Sequence, residues 1–251
     1  MILLAIDWWI LLEKAILILA VVIVSLVIAM YATWAERKVA AVMQDRIGPN
    51  RAGPFGLFQP LADGVKLFMK EEIIPNTSSK FLFVMGPALA MITALMTSAV
   101  IPWGPSINLF GREISLQIAD INIGILYVFG VVSLGVYGIM IGGWASNNKF
   151  SLISSIRGAS QMISYELAMG LALIALLMMT GSLRLSVIVA QQSEGLFNWN
   201  IMYQPLGFLI FFICALAECN RTPFDLPEAE NELNFGYHQE YSSMKDRKSV
   251  V

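Results

Sequence analysis

Carboxylates placed where apolar runs meet polar stretches are the groups in this sequence best suited to chemistry. Glu166 stands in Ser164-Tyr165-Glu166-Leu167-Ala168, where an apolar run begins, and Glu218 ends another. Glu228, Glu230 and Glu232 follow at a spacing of two. A charged side chain at the edge of hydrocarbon is costly unless it handles ions, protons or a polar ligand. Proton handling fits such a series, because carboxylates crowded together titrate as a coupled set. Each has a plainer reading as well. Glu166 suits the start of a helix, where the dipole favours negative charge. The 228–232 series suits a solvated acidic loop with Arg221 as an ordinary partner. On the residues alone both readings of the loop stay open.

A second polar stretch, Arg46-Ile-Gly-Pro-Asn-Arg-Ala-Gly-Pro-Phe-Gly-Leu-Phe-Gln-Pro, follows the first apolar run. Gly48-Pro49 and Gly53-Pro54 call for tight, stiff turns, since proline fixes its own φ and glycine reaches conformations closed to other residues. Pro60 suits the first turn of a helix. From there Leu61, Val65 and Phe68 share one face while Asp63, Lys66 and Lys70 point elsewhere, the pattern of a short amphipathic helix at a membrane surface. A structural strap and a ligand-facing element fit this segment equally well.

Elements of membrane length must position these groups. Hydrophobic residues make up 57% of the 251 residues and charged ones only 14%, which excludes an ordinary soluble domain. Apolar runs near the ~20 residues that span hydrocarbon recur at Leu11–Thr33, Phe81–Trp103, Ile121–Trp144, Tyr165–Gly181 and Tyr203–Glu218. None alternates as barrel strands do, so the spans are helices, whose backbone groups are satisfied internally. The expected fold is all-α: a polytopic transmembrane helix bundle of about five spans. No repeat divides it, so residues 1–245 read as one membrane domain. The first run is too long for a signal-peptide core and is preceded by Asp7 rather than a basic region. Seven basic residues, from Arg37 to Lys80, lie between the first two runs. Lys149, Arg157, Arg221 and Lys245 fall on the same side, against Arg112 and Arg184 on the other. The positive-inside rule then puts the N-terminus outside and the long polar loops in the cytoplasm.

Several chemistries lack their signatures. The sequence has no dinucleotide glycine fingerprint, phosphate loop or His-Glu-x-x-His zinc pattern, and nothing in it points to nucleic acid. Cys214 and Cys219 are too few for an iron–sulfur cluster and read as small buried apolar residues. His238, the single histidine, reads as a solvated or hydrogen-bonded loop residue. Any electrons must come from a different protein chain.

Five segments together resemble the H-type membrane subunit of respiratory complex I, the proton-pumping NADH:quinone oxidoreductase. They are Glu36-Arg-Lys; Asp45-Arg-Ile-Gly-Pro-Asn-Arg-Ala-Gly-Pro-Phe-Gly-Leu-Phe-Gln-Pro-Leu-Ala-Asp-Gly-Val-Lys-Leu; Arg157-Gly-Ala-Ser-Gln-Met-Ile-Ser-Tyr-Glu; Glu218-Cys-Asn-Arg-Thr-Pro-Phe-Asp-Leu-Pro-Glu-Ala-Glu; and Gly236-Tyr-His-Gln-Glu-Tyr-Ser-Ser-Met-Lys. The resemblance runs from the first span to Lys245 in the family's order.

What it implies is a membrane component beneath the peripheral redox arm that forms much of the quinone chamber. By resemblance Glu36, Arg37, Gln59, Asp63, Arg221 and Phe224 lie along that chamber. Glu166, Glu218, Glu228, Glu230 and Glu232 match the family's acidic path from the chamber into the membrane. Quinone is then the substrate, while NADH, FMN and iron–sulfur clusters sit on partner subunits and no metal or flavin belongs to this chain. The implied partners are the peripheral quinone module, the rest of the membrane arm and membrane lipid. No activity is expected of this chain alone. A bacterial plasma (inner) membrane is the expected location, ahead of the mitochondrial inner membrane. The nearest alternative is the homologous component of a membrane-bound hydrogenase or ferredoxin-linked complex. A lone secondary transporter fits less well, because its charges would sit near the membrane midplane.

The family continues past Glu-Tyr-Ser-Ser-Met-Lys with more transmembrane helices. Here Asp246-Arg-Lys-Ser-Val-Val resembles a translated sequencing-library adapter, so residues 246–251 are expected to be non-native and the chain a C-terminally truncated fragment. With no following helix to return it to the membrane, the 228–232 loop is expected to be poorly ordered.

Overall fold

A computed structural model describes residues 8–109, 112–193, 195–221, 223–228 and 230–243. Lys245 and residues 246–251 therefore lie outside the described residues. The chain divides into two compact units, residues 1–76 with 240–251, and residues 77–239.

The first unit is built on α1 (Trp8–Met43), a 36-residue helix. At 1.5 Å per residue it is about 54 Å long, well beyond the ~30 Å of hydrocarbon it has to cross. Its last turns can therefore extend past the membrane, carrying Glu36 and Arg37 with them. The glycine–proline segment then folds tightly: Gly56 sits at φ 77°, where a Cβ would come within 2.2 Å of the Pro49 carbonyl oxygen. No side chain fits there, which is why the turn needs glycine. α2 (Gln59–Met69) follows with Pro60 in its first turn. Leu61, Val65 and Phe68 are exposed on α2 while Leu67 is buried, so the amphipathic pattern holds and its apolar face is open. The free carbonyls at the end of α2 are met by Ser243, whose hydroxyl donates to Leu67 O at 2.9 Å and Lys70 O at 3.1 Å.

The second unit packs α3 (Lys80–Thr97), α4 (Gly124–Ala145) and α5 (Lys149–Thr180). A short hairpin of β1 (Ile107–Leu109) and β2 (Arg112–Ile114) links α3 to α4, with Asn108 opposite Glu113. Glycine lets α3 and α4 touch backbone to backbone. A Cβ on Gly86 would fall 2.7 Å from Gly142 Cα, and one on Gly138 2.9 Å from Gly86 O. Small residues at membrane helix seams permit this approach, where van der Waals packing supplies the attraction. Gly143 plays the same part between α4 and α5, its missing Cβ leaving room for the Ser155 side chain. α5 ends at Gly181 in the left-handed conformation (φ 67°), a common helix stop.

Beyond α5 come α6 (Leu185–Gln191), α7 (Asn200–Tyr203), α8 (Pro205–Glu218) and the short α9 (Glu230–Leu233). Among the described residues four helices, α1, α3, α4 and α5, are long and apolar enough to cross a membrane. The result is an all-α polytopic membrane protein. The fifth apolar run is shorter than its sequence span suggests. Gln204 leaves helical geometry, Pro205 restarts the helix, and α8 has 14 residues, about 21 Å of rise.

The core of this unit gathers Val136 and Ile139 of α4, Ala159, Met162, Tyr165 and Met169 of α5, Cys214 and Ala217 of α8, and Tyr237. Much of the remaining apolar surface is open, including Leu167 and Leu171 on α5 and Leu206 on α8, as expected of faces that meet lipid or neighbouring chains.

Candidate functional site

One stripe of α5 carries a series of polar and small residues. Ser151, Ser154, Gly158, Gln161 and Tyr165 recur at helical spacing and face the end of α8 and the segment after it. The Tyr165 hydroxyl donates to Glu218 Oε2 at 2.9 Å. Gln161 Nε2 donates to the Phe224 carbonyl at 3.0 Å. Ser154 Oγ donates to the carbonyl of Pro227, itself fully buried. One residue beyond Tyr165, Glu166 accepts from Ser133 Oγ of α4 at 3.2 Å.

This places Glu166 differently from the sequence expectation. It is 17 residues inside a 32-residue helix rather than at a helix start. The helix-dipole reading therefore fails, since that effect fades within the first turn. Hydropathy marked only the apolar half of α5; its serine-rich half continues the same helix. Glu218 does end α8, as its sequence position suggested.

Three buried acceptors along this region have no hydrogen-bond partner: Gln161 Oε1, Glu166 Oε1 and Asn220 Oδ1. Each such group costs about 1–3 kcal/mol.

Two of the downstream acidic residues, Glu228 and Glu232, meet side-chain partners. Glu232 pairs with Arg157 of α5 at 2.9 Å, with the glutamate largely exposed. Glu228 Oε1 lies 3.5 Å from His238 Nε2. Glu230 opens α9. The segment is anchored through Pro227 and through Gly236, whose carbonyl accepts from Ser151 Oγ at 3.4 Å. These contacts tie the segment to α5. His238 is also not solvated: it is 5% exposed and stacks on Tyr237 with ring centroids 3.7 Å apart. Of the cysteines, Cys214 is buried as expected, but Cys219 is exposed.

The other expected residues divide between the two units. In the first, the Arg37 guanidinium pairs with Asp63 Oδ2 at 2.5 Å, and Gln59 Nε2 donates to Asp63 Oδ1 at 3.1 Å. Glu36 is exposed one position before Arg37. This joins the end of α1 to the start of α2 through a charge-assisted contact. In the second unit Arg221 is exposed and Phe224 packs partly buried against the core. A cleft of about 550 Å³ lies at the opposite end of α5, lined by Asn122, Leu177, Gly181 and Arg184 among others, and contains none of the expected site residues. Among the described residues no group of three or more His, Cys, Asp or Glu side chains could hold a metal ion.

The family profile described as NADH dehydrogenase matches residues 15–246. The chain belongs to the family of H-type membrane subunits of complex I. It is 68% identical over 94% of its length to the H-type NADH-quinone oxidoreductase subunit of Cytophaga hutchinsonii, covering 68% of that protein. It is 68% identical over 93% of its length to the corresponding protein of Flavobacterium johnsoniae, covering 66% of it. A Geobacter metallireducens relative is 55% identical over 96% of this chain, with 71% of the relative covered. The chain thus spans about two thirds of the length of these relatives. Sequence reasoning missed Gln161, Ser133 and Asn220 as part of the site. Only the polar spacing along α5 could have signalled the first, and nothing local marks the others.

Proposed function

We propose that the chain serves as the membrane subunit of a proton-translocating NADH:quinone oxidoreductase, bordering the quinone chamber and carrying an acidic path that couples quinone reduction to proton movement. The observation that carries this reading is the α5 seam, where Gln161 and the Tyr165–Glu218 pair share one stripe and Glu166 meets Ser133 on the side facing α4, with buried acceptors left unsatisfied. A bundle that only anchored other proteins would gain stability by replacing these groups with apolar ones.

On this reading the Arg37–Asp63–Gln59 set with Glu36 in the first unit, and Arg221 and Phe224 in the second, each contribute lining to the chamber. A cation, an amide and an aromatic ring are suited to a quinone headgroup, which offers carbonyl acceptors on a flat ring. Reduction adds charge to the quinone and draws protons toward it. Carboxylates nearby respond by changing protonation, and Glu166, Glu218, Glu228, Glu230 and Glu232 pass that change toward the membrane. Electrons, NADH, FMN and iron–sulfur clusters belong to partner subunits of the peripheral arm. The proposed location is a bacterial plasma membrane. The names of the relatives favour the quinone enzyme over a hydrogenase arm.

Glu218→Gln and Glu166→Gln in the full-length protein within its complex test the reading. Lower quinone-dependent NADH oxidation, or fewer protons moved per electron, is expected in both. Normal turnover and stoichiometry in both variants would reject it.

A further inference from the structure

Among the described residues, His238 is a buried ionisable side chain near the acidic series that the proposed path leaves unused. It is only 5% exposed, and its Nε2 has no hydrogen-bond partner at normal length. That nitrogen points at Glu228 Oε1, 3.5 Å away. A slight rotation of either side chain closes the gap to bonding distance. The ring is fixed from behind by Tyr237, which stacks on it, and Tyr237 N donates to Pro227 O at 3.2 Å. Gly236 at φ 65° makes this possible, since a Cβ there would strike Pro227 O at 2.1 Å. Histidine and carboxylate are therefore held face to face by backbone that admits no ready alternative.

We propose that His238 and Glu228 form a proton-sharing pair that loads and releases one proton for the acidic path. The proposal rests on the acidic-path reading given above. Unloaded, the pair is a neutral imidazole beside a carboxylate. A proton arriving from the path binds Nε2 and gives an imidazolium–carboxylate contact, and its departure restores the first state. Imidazole suits this role because it accepts and gives up a proton near neutral pH. The histidine is buried while the Glu228 side chain is 19% exposed, so the imidazole is the inner member of the pair. α4 carries no charged residue. The start of α5 presents Ser151 and Ser154, with Lys149 exposed and Arg157 engaged by Glu232. The loop adds Asp225 and Tyr237.

The test uses His238→Gln in the full-length protein within the assembled complex, with Glu218→Gln as comparator. Glutamine keeps a nitrogen near the Nε2 position but has no group that titrates near neutral pH. Quinone-dependent turnover per assembled complex is measured from acid to alkaline pH. The expected result is a deficit that grows with pH to about tenfold, where bulk protons are scarce, with Glu228→Gln/His238→Gln no worse than Glu228→Gln alone. Wild-type turnover at every pH, with Glu218→Gln impaired, overturns the histidine proposal and leaves the acidic path standing. Wild-type behaviour in all variants overturns both. A deficit independent of pH, or failure of both His238→Gln and His238→Asn to assemble, marks a structural residue and also overturns the pair.

Discussion

Gly158→Ala should loosen the acidic loop without touching any titratable group. The new methyl would lie 2.7 Å from Pro227 Cγ and 3.0 Å from its Cβ. Pro227 is fully buried and its ring is stiff, so the loop rather than the ring must move. Overpacking of this kind costs about 1–3 kcal/mol. Displacing Pro227 also weakens the bond its carbonyl accepts from Ser154, worth about 0.5–1.5 kcal/mol. Against this, alanine is favoured over glycine inside a helix by about 1 kcal/mol. The balance is a net destabilisation of about 1–3 kcal/mol localised at the loop–α5 contact. Hydrogen exchange reads it directly, because local opening sets the exchange rate. Peptides covering Phe224 to Ser243 should exchange about ten- to a hundredfold faster in the full-length protein, at about tenfold per 1.4 kcal/mol. The Tyr237 amide, which donates to Pro227 O, is the most informative site. Gly170→Ala is the control: its Cβ would meet Phe129 Cε1 at an ordinary 3.7 Å, so only the helix-propensity term remains. Equal protection of the loop in the wild type and in Gly158→Ala would refute the packing argument.

Other perturbations separate structural from chemical roles. Tyr165→Phe removes the hydroxyl bonded to Glu218 and should cost about 1–3 kcal/mol; thermal denaturation of the purified complex measures that, and on the path reading turnover falls as well. Gly56→Ala forces a side chain onto φ 77° and into Pro49 O, so it should sharply reduce the yield of assembled protein in membranes. Arg37→Ala breaks a pair whose arginine is 45% exposed, so stability should change by only about 0–1 kcal/mol. If Arg37 borders the quinone, KM for quinone should nevertheless rise severalfold.

Much of the fold was legible because hydrocarbon imposes a simple rule: a span must be apolar and long enough. That rule located the cores of α1, α3 and α4, and the Leu61, Val65 and Phe68 spacing located α2. It failed where a helix is held by protein rather than lipid. The first half of α5 is rich in serine because it packs against α4 and the segment after α8, so hydropathy began the span too late and misplaced Glu166. The break at Gln204 escaped for the opposite reason, since apolar residues continue past it. The partners of Glu166 and Glu218 were hidden because Ser133 and Tyr165 come from other positions in the bundle and look ordinary in sequence. His238 looked like a surface residue because burial there depends on Gly236, Pro227 and α5 meeting in space.

The α5 stripe explains why this loop and helix form one site. Ser151, Ser154, Gly158 and Gln161 on a lipid-facing surface would give a helix little to gain from hydrocarbon, yet the 219–238 segment buries part of that stripe under its own backbone carbonyls. The serines bond the loop, the glycine lets it come close, and Tyr165 carries the same line to Glu218. The loop, in turn, has carbonyls that need donors and acidic groups that need a framework. Each side therefore supplies what the other lacks, and a shift of the loop would alter the settings of Glu218, Glu228 and Glu232 together. On the proposed path reading, a loop shifted by Gly158→Ala and a carboxylate neutralised to glutamine perturb the same element, so both substitutions should lower quinone-dependent turnover.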